Sequence, residues 1–160
     1  MKHILAILFI AFIWTACQKP EEKNCINSFT DSRDGEVYCT TTIGTQTWMA
    51  ENLRFSSDSA YQNQGNPSTI NMEYGKLYPF KEAKKVCPAG WHLPTDDEWK
   101  TLEMALGMSP TAANGINERG TNEGAKLKSL DGWQTTGVDS VALALDSEGF
   151  DALPAGEMNP

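Results

Sequence analysis

Between Glu36 and Met49 the chain alternates: Val37, Cys39, Thr41 and Ile43 fall on one side, Tyr38, Thr40 and Thr42 on the other. A period of two gives a strand two faces. Gly44-Thr45 then separates two β-prone runs, and a glycine at the first of two loop positions suits a type II′ hairpin. The pattern predicts a hairpin preceded by a turn at Asp31–Gly35, with Trp48 and Met49 packing into the core. Further along the period lengthens. A helix opened by Pro79 would place Phe80, Ala83, Val86 and Cys87 on one face until Pro88-Ala89-Gly90 stops it. Thr95-Asp96-Asp97-Glu98 has the form of a capping box, and Trp99, Leu102 and Leu106 make an apolar stripe ended by Gly107. Residues 56–71 and 109–124 read as polar loops, Tyr74–Tyr78 as a short aromatic strand or turn, and 125–130, 132–133 and 141–145 as short strands and turns. Short strands, two central helices and long loops predict an α+β fold rather than a parallel α/β sheet.

The N-terminal pattern is of another kind. Lys2 and His3 precede the unbroken apolar run Ile4–Trp14, which is followed by Thr15-Ala16-Cys17. As a helix that run spans about 16 Å, well short of the ~30 Å core of a bilayer, so it reads as a secretory signal peptide. Thr15-Ala16-Cys17 resembles a bacterial lipoprotein box, with Trp14 where leucine is usual. That resemblance implies cleavage after residue 16 and acylation of the Cys17 sulfur; several acyl chains on one cysteine anchor a protein stably. The polar stretch after Cys17 reads as a flexible tether. The expected organisation is thus a signal peptide at 1–16, lipidated Cys17 and tether at 17–30, and one domain at 31–160. The expected location is the bacterial envelope, at the outer membrane or cell surface.

Charge narrows the partners. Thirteen Lys and Arg against 21 Asp and Glu give a formal net charge of −8. Nucleic-acid binding rests on basic residues neutralising phosphates, so that class is set aside. The membrane contact expected is through the acyl chains on Cys17. The remaining cysteines are Cys25, Cys39 and Cys87, an odd number in an oxidising compartment. A Cys25–Cys39 bridge would leave Cys87 unpaired at a helix end.

The densest stretch is CPAGWHLPTDDEW, Cys87–Trp99. Its residues read as scaffold: Pro94 fixes the approach to the helix, Thr95 and Glu98 cap it, and Trp91, Leu93 and Trp99 supply large buried area. His92 stands without partners at metal-ligand spacing, and the Asp96/Asp97/Glu98 carboxylates read as helix-start chemistry rather than an acid–base pair. No catalytic, cofactor or metal residues are assigned.

Six stretches in order, DSRDGEVY (31–38), IGTQTWMAENL (43–53), YGKLYPFKEA (74–83), CPAGWHLPTDDEW (87–99), LKSLDGW (127–133) and GFDALPAG (149–156), resemble the Fibrobacter succinogenes major paralogous domain, a family of bacterial secreted proteins and lipoproteins. LPTDDEW also resembles a motif of formylglycine-generating-enzyme-like domains. That similarity implies a C-type-lectin-like fold, with two helices packed on short irregular antiparallel sheets. It further implies a closing strand, with a cysteine for Cys87, beyond the last residue here, so the domain is expected to be incomplete at its C-terminus. The resemblance carries no activity: the calcium-binding triplets of sugar-binding lectins and the late cysteines of the oxidase do not occur.

The reading these features favour is an envelope-anchored lipoprotein carrying a non-catalytic binding or adhesion module. Glycan or an envelope protein is the candidate partner, with Tyr61, Tyr74 and Tyr78 able either to stack on sugars or to pack in the core. One alternative is a formylglycine-generating type of enzyme whose catalytic part lies in a missing C-terminus. A purely structural envelope lipoprotein is the other.

Overall fold

The computed structural model describes residues 25–60, 74–133 and 145–155. Among these the chain is α+β: a three-stranded antiparallel sheet with four helices. The strands are β1 (Asn27–Thr30), β2 (Val37–Ile43) and β3 (Gln46–Met49), in that order across the sheet. The helices are α1 (Phe80–Ala83), α2 (Asp96–Ala105), α3 (Pro110–Ala113) and α4 (Glu123–Leu127).

The predicted hairpin is present. Ile43 pairs with Gln46 across Gly44-Thr45, and Gly44 takes φ 60°, the positive value a type II′ turn needs at that place. A side chain at Gly44 would also meet the Ala105 Cβ at 2.9 Å, so the turn sits tight against α2. The Asp31–Gly35 turn joins β1 to β2, closed by Asp31 N donating to Glu36 O at 2.8 Å, with Gly35 at φ 80°. β1 begins at Asn27, within the stretch read as tether, because Phe29 pairs with Tyr38 and stacks on it at 5.4 Å.

Both faces of the sheet are covered. On one, Ile43 and Trp48 form the core with Leu102 and Leu106 of α2, joined by Leu127 and Phe150. Burying side chains of this size is worth about 1.5–3 kcal/mol each. On the other, Tyr38 is fully buried beneath Phe29 and the Arg54 guanidinium, which lies 4.4 Å over its ring; Trp91 packs on Phe29 at 4.7 Å. Phe150 arrives from the far end of the chain, where Thr41 Oγ1 donates to Glu148 O at 2.6 Å.

Helix α2 follows its sequence. Thr95 Oγ1 accepts from Glu98 N, Glu98 Oε2 accepts from Thr95 N, and Leu106 caps the other end before Gly107 at φ 112°. Elsewhere tertiary packing overrides the pattern. The Pro79 helix stops at Ala83 instead of running to Cys87, since Pro88 disfavours a helical Cys87 and Val86 turns inward to be buried. Phe80, expected on the packed face, is 68% exposed. Residues 109–124, expected to be loop, contain α3, whose Ser109 Oγ accepts from Ala112 N with Pro110 in the first turn. Residues 125–130, expected as strand or turn, instead carry α4, and only Lys128 makes a lone parallel bridge, to Ala152. Leu93 and Trp99, expected to be buried, are each 38% exposed. Segment 141–144 lies outside the described residues, as do Cys17, Tyr61 and the signal peptide.

Candidate functional site

The ladder between β2 and β3 fixes which backbone groups β3 keeps for itself. In a two-residue hairpin the closing pair, Ile43 and Gln46, exchanges hydrogen bonds, and bonded pairs then recur at every second residue. Ala50 N donating to Cys39 O at 2.9 Å confirms that parity. Thr41/Trp48 is therefore a bonded pair, while Thr42/Thr47 and Thr40/Met49 are not. The N–H and C=O of Thr47 and Met49 point away from β2, along an edge that pairs with no other strand among the described residues.

A groove of about 590 Å³ runs along that edge, within the usual range for ligand sites. It is lined by Gln46 and Trp48, and also by Thr47 and Met49. Successive residues of a strand face opposite ways, so a hollow touching both sets wraps round the strand's edge. Trp91, His92 and Pro94 from the loop before α2 form one wall; Glu98 and Trp99 of α2, with Phe150, form the other. Trp48 lies 5.0 Å from Trp99 and 5.8 Å from Phe150, ring to ring.

Two polar atoms of these strand residues, Trp48 Nε1 and Gln46 Oε1, are buried from solvent and have no hydrogen-bond partner; Trp48 as a whole is 8% exposed. The Gln46 amide is oriented by its other end, Nε2 donating to Glu98 O at 3.1 Å. An unmet buried donor or acceptor costs about 1–3 kcal/mol, so native structures rarely leave one. Here one donor and one acceptor stand two residues apart on the same strand face.

The groove's carboxylate is Glu98. Its Oε2 accepts from Thr95 N and Oγ1, each at 2.8 Å, and its Oε1 meets His92 Nε2 at 2.7 Å. The Thr95 backbone bond, then its hydroxyl, then His92 pull its pKa down to about 2, so it is fully ionised at neutral pH.

The structure thus gathers Trp48, Trp91, His92, Pro94, Glu98 and Trp99 around one groove, with Thr95 at its margin. The remaining singled-out residues lie elsewhere. Cys25 is bridged to Cys39, Cα to Cα 5.2 Å. Glu51 closes in on this pair, but its Oε2 accepts from Cys39 N at 2.6 Å and the two sulfurs are bonded to each other, so the cluster offers no thiolate to a metal. Cys87 is a free, half-buried thiol whose pKa burial pushes up, and its Sγ lies 3.4 Å from Ala83 O. Tyr78 is structural: its hydroxyl donates to Phe55 O at 2.6 Å. Tyr74 O accepts from Asn52 Nδ2, and neither tyrosine lines the groove.

Sequence reasoning missed Gln46, Thr47, Asn52 and Phe150. Gln46 carried a signal: period two puts it beside Trp48 on the core face, where a glutamine is out of place. Phe150 carried none that was local.

A second hollow, about 350 Å³ and walled partly by Trp99 and Arg119, is supplied from within the chain. The buried Glu123 carboxylate accepts from Thr121 N and Asn122 N, bonds that lower its pKa, and Arg119 is held by Glu103 at 2.9 Å.

A family model described as the Fibrobacter succinogenes major domain matches residues 41–160. No curated protein and no solved structure matches the chain.

Proposed function

The chain belongs to the Fibrobacter succinogenes major domain family, and from that premise we propose that it is an envelope-anchored lipoprotein whose domain is a non-catalytic binding module with its ligand site in the β3 groove. The observation that carries this reading is the groove of about 590 Å³ itself, lined by the partly exposed Trp99 and by the Glu98–His92 pair. Glu98 supports the non-catalytic half of the reading. Ionised and held by Thr95 and His92, it is no proton donor at neutral pH and is already committed to the helix cap. Placement outside the cytoplasm is supported by the Cys25–Cys39 bridge, which persists in oxidising compartments. Helix α2 lying on a short antiparallel sheet supports a C-type-lectin-like arrangement.

The test has two arms. Metabolic labelling with a palmitate analogue should mark the wild-type chain and not Cys17→Ser; an unlabelled wild type overturns the anchor. In the second arm the full chain is incubated with soluble glycan and protein fractions of the envelope. Trp99→Ala should lose what the wild type retains, while Cys17→Ser keeps it. Retention indifferent to Trp99 removes the groove as the site.

A further inference from the structure

We infer that the outward face of α1, an exposed Phe80 flanked by Lys81, Lys84 and Lys85, docks on an anionic lipid bilayer, the lysines on headgroup phosphates and the ring at the acyl boundary. The inference lies outside the groove and rests on the envelope-anchored reading, which brings the domain to a bilayer. Three observations converge on it.

The first is placement. Lys85 N and Val86 N both donate to Glu82 O, so the turn continues past the end of α1. At about 100° per residue, Phe80, Lys81, Lys84 and Lys85 share one side of that turn, while Glu82, Ala83 and Val86 take the other. Val86 is 5% exposed and Phe80 68%. The three lysines are exposed as well, and Lys84 Nζ lies 4.7 Å over the Phe80 ring.

The second is charge. With 21 Asp and Glu against 13 Lys and Arg, a basic side chain on this molecule readily finds an acid. Arg33, Arg54, Lys100 and Arg119 each pair with a carboxylate, and Lys76 and Lys126 donate to other oxygens. Lys81, Lys84 and Lys85 meet no oxygen among the described residues. The net charge of −8 repels an anionic surface. Screening over about 8 Å at physiological ionic strength leaves the face turned to the bilayer to decide, and this face is basic.

The third is shape and reach. None of the four residues lines either hollow, and small ligands take concave sites. A protruding aromatic ring among lysines suits a plane, where the stems snorkel and the ring sits at headgroup level. An acidic protein would answer the lysines and leave the ring in water. Asn27 follows Cys17 by ten residues, at most about 35 Å of chain, so the anchor holds the patch near the surface and a weak contact suffices.

The test keeps the full chain and reads each lysine by acetylation and mass spectrometry, because the N-terminal apolar run brings the chain to any vesicle. On phosphatidylcholine vesicles with about one quarter phosphatidylglycerol, Lys81, Lys84 and Lys85 should react at least about tenfold more slowly than in solution. On pure phosphatidylcholine they should react as in solution, and Lys100 should change on neither. Salt near 1 M, where screening acts over about 3 Å, should restore their reactivity. Replacing one lysine by Gln should weaken the shielding of the other two about fivefold, and Phe80→Ser about tenfold. All four positions are exposed, so an unchanged melting temperature assigns the loss to docking.

Four outcomes overturn the inference. The lysines stay reactive on anionic vesicles; neutral vesicles shield them equally; polyglutamate or free glycerol phosphate shields them as well as the vesicle does; or shielding grows with protein concentration in solution, which would make the patch a contact with a second, acidic copy. Palmitate labelling keeps the anchor separate: a labelled chain with reactive lysines sinks the patch alone, and shielded lysines on an unlabelled chain sink the anchor alone.

Discussion

Asp31 and Arg33 at one corner of the sheet, and Gln46 and Trp48 at the opposite edge, both set polar atoms beside aromatic rings. At the corner every group is met. Asp31, 1% exposed, accepts from Arg33 N, Nε and Nη2, while Nη1 donates to Val86 O at 2.7 Å and the guanidinium lies 3.8 Å over the Phe55 ring. The arginine's hydrogen bonds hold the Asp31 carboxyl below its usual range. At the β3 edge one donor and one acceptor are left over. The corner ties β1 and the loop after α1 into one unit and has nothing to offer a partner. The edge leaves two atoms unmet beside the packed rings of Trp48, Trp99 and Phe150.

The largest effect that would sharpen this contrast belongs to the corner. Arg33→Ala strands a buried carboxylate and should destabilise the chain by about 3 kcal/mol in chemical denaturation. A loss below about 1 kcal/mol would mean that the corner is not a closed unit. Trp99→Ala at the groove should cost less, about 2 kcal/mol, because the ring is partly exposed and a fully buried tryptophan costs 3–5. A full 3–5 kcal/mol loss would return Trp99 to the core and erase the difference between the regions.

Acid should act on both regions with the same sign. Glu98 and Asp31 have folded-state pKa values depressed below their ordinary ones. The stability they contribute is present above the unfolded value and disappears as pH falls through the folded one. For Glu98 the window runs from 4.5 down to about 2. Melting temperature followed across that range should fall, and Glu98→Gln should flatten the slope. An unchanged slope would show that the Thr95–His92 clasp is not formed in solution.

The smallest effect is the most telling. Gln46→Leu removes an acceptor that meets nothing, along with the one bond its amide makes to Glu98 O. Folding stability should hold or rise, because removing an unmet buried acceptor, worth about 1–3 kcal/mol, matches or outweighs the loss of one hydrogen bond, worth about 0.5–1.5 kcal/mol. Binding should be lost. A strongly destabilised Gln46→Leu variant would make the β3 edge as much a scaffold as the corner.

The sequence by itself determined whatever depends on residues two to four apart. Gly44 can take its positive φ without strain, Thr95 and Glu98 reach one another's backbone across one helical turn, and alternation at 37–43 makes a two-faced strand. It also held half of the site in view, since Trp91, His92, Pro94, Glu98 and Trp99 come from one compact motif. Only the tertiary structure decided that this motif walls a groove instead of filling a core. That outcome turns on contacts between distant segments: Gln46 with Glu98, 52 residues apart, and Thr41 with Glu148, 107 residues apart. The same distance hid α4, where helix replaced the expected strand because Ala125 and Leu127 found cover against the core. Local chemistry is written in spacing; which donors and acceptors remain unmet is settled only once remote segments have packed, because a hydrogen bond is lost or made by where the partner ends up.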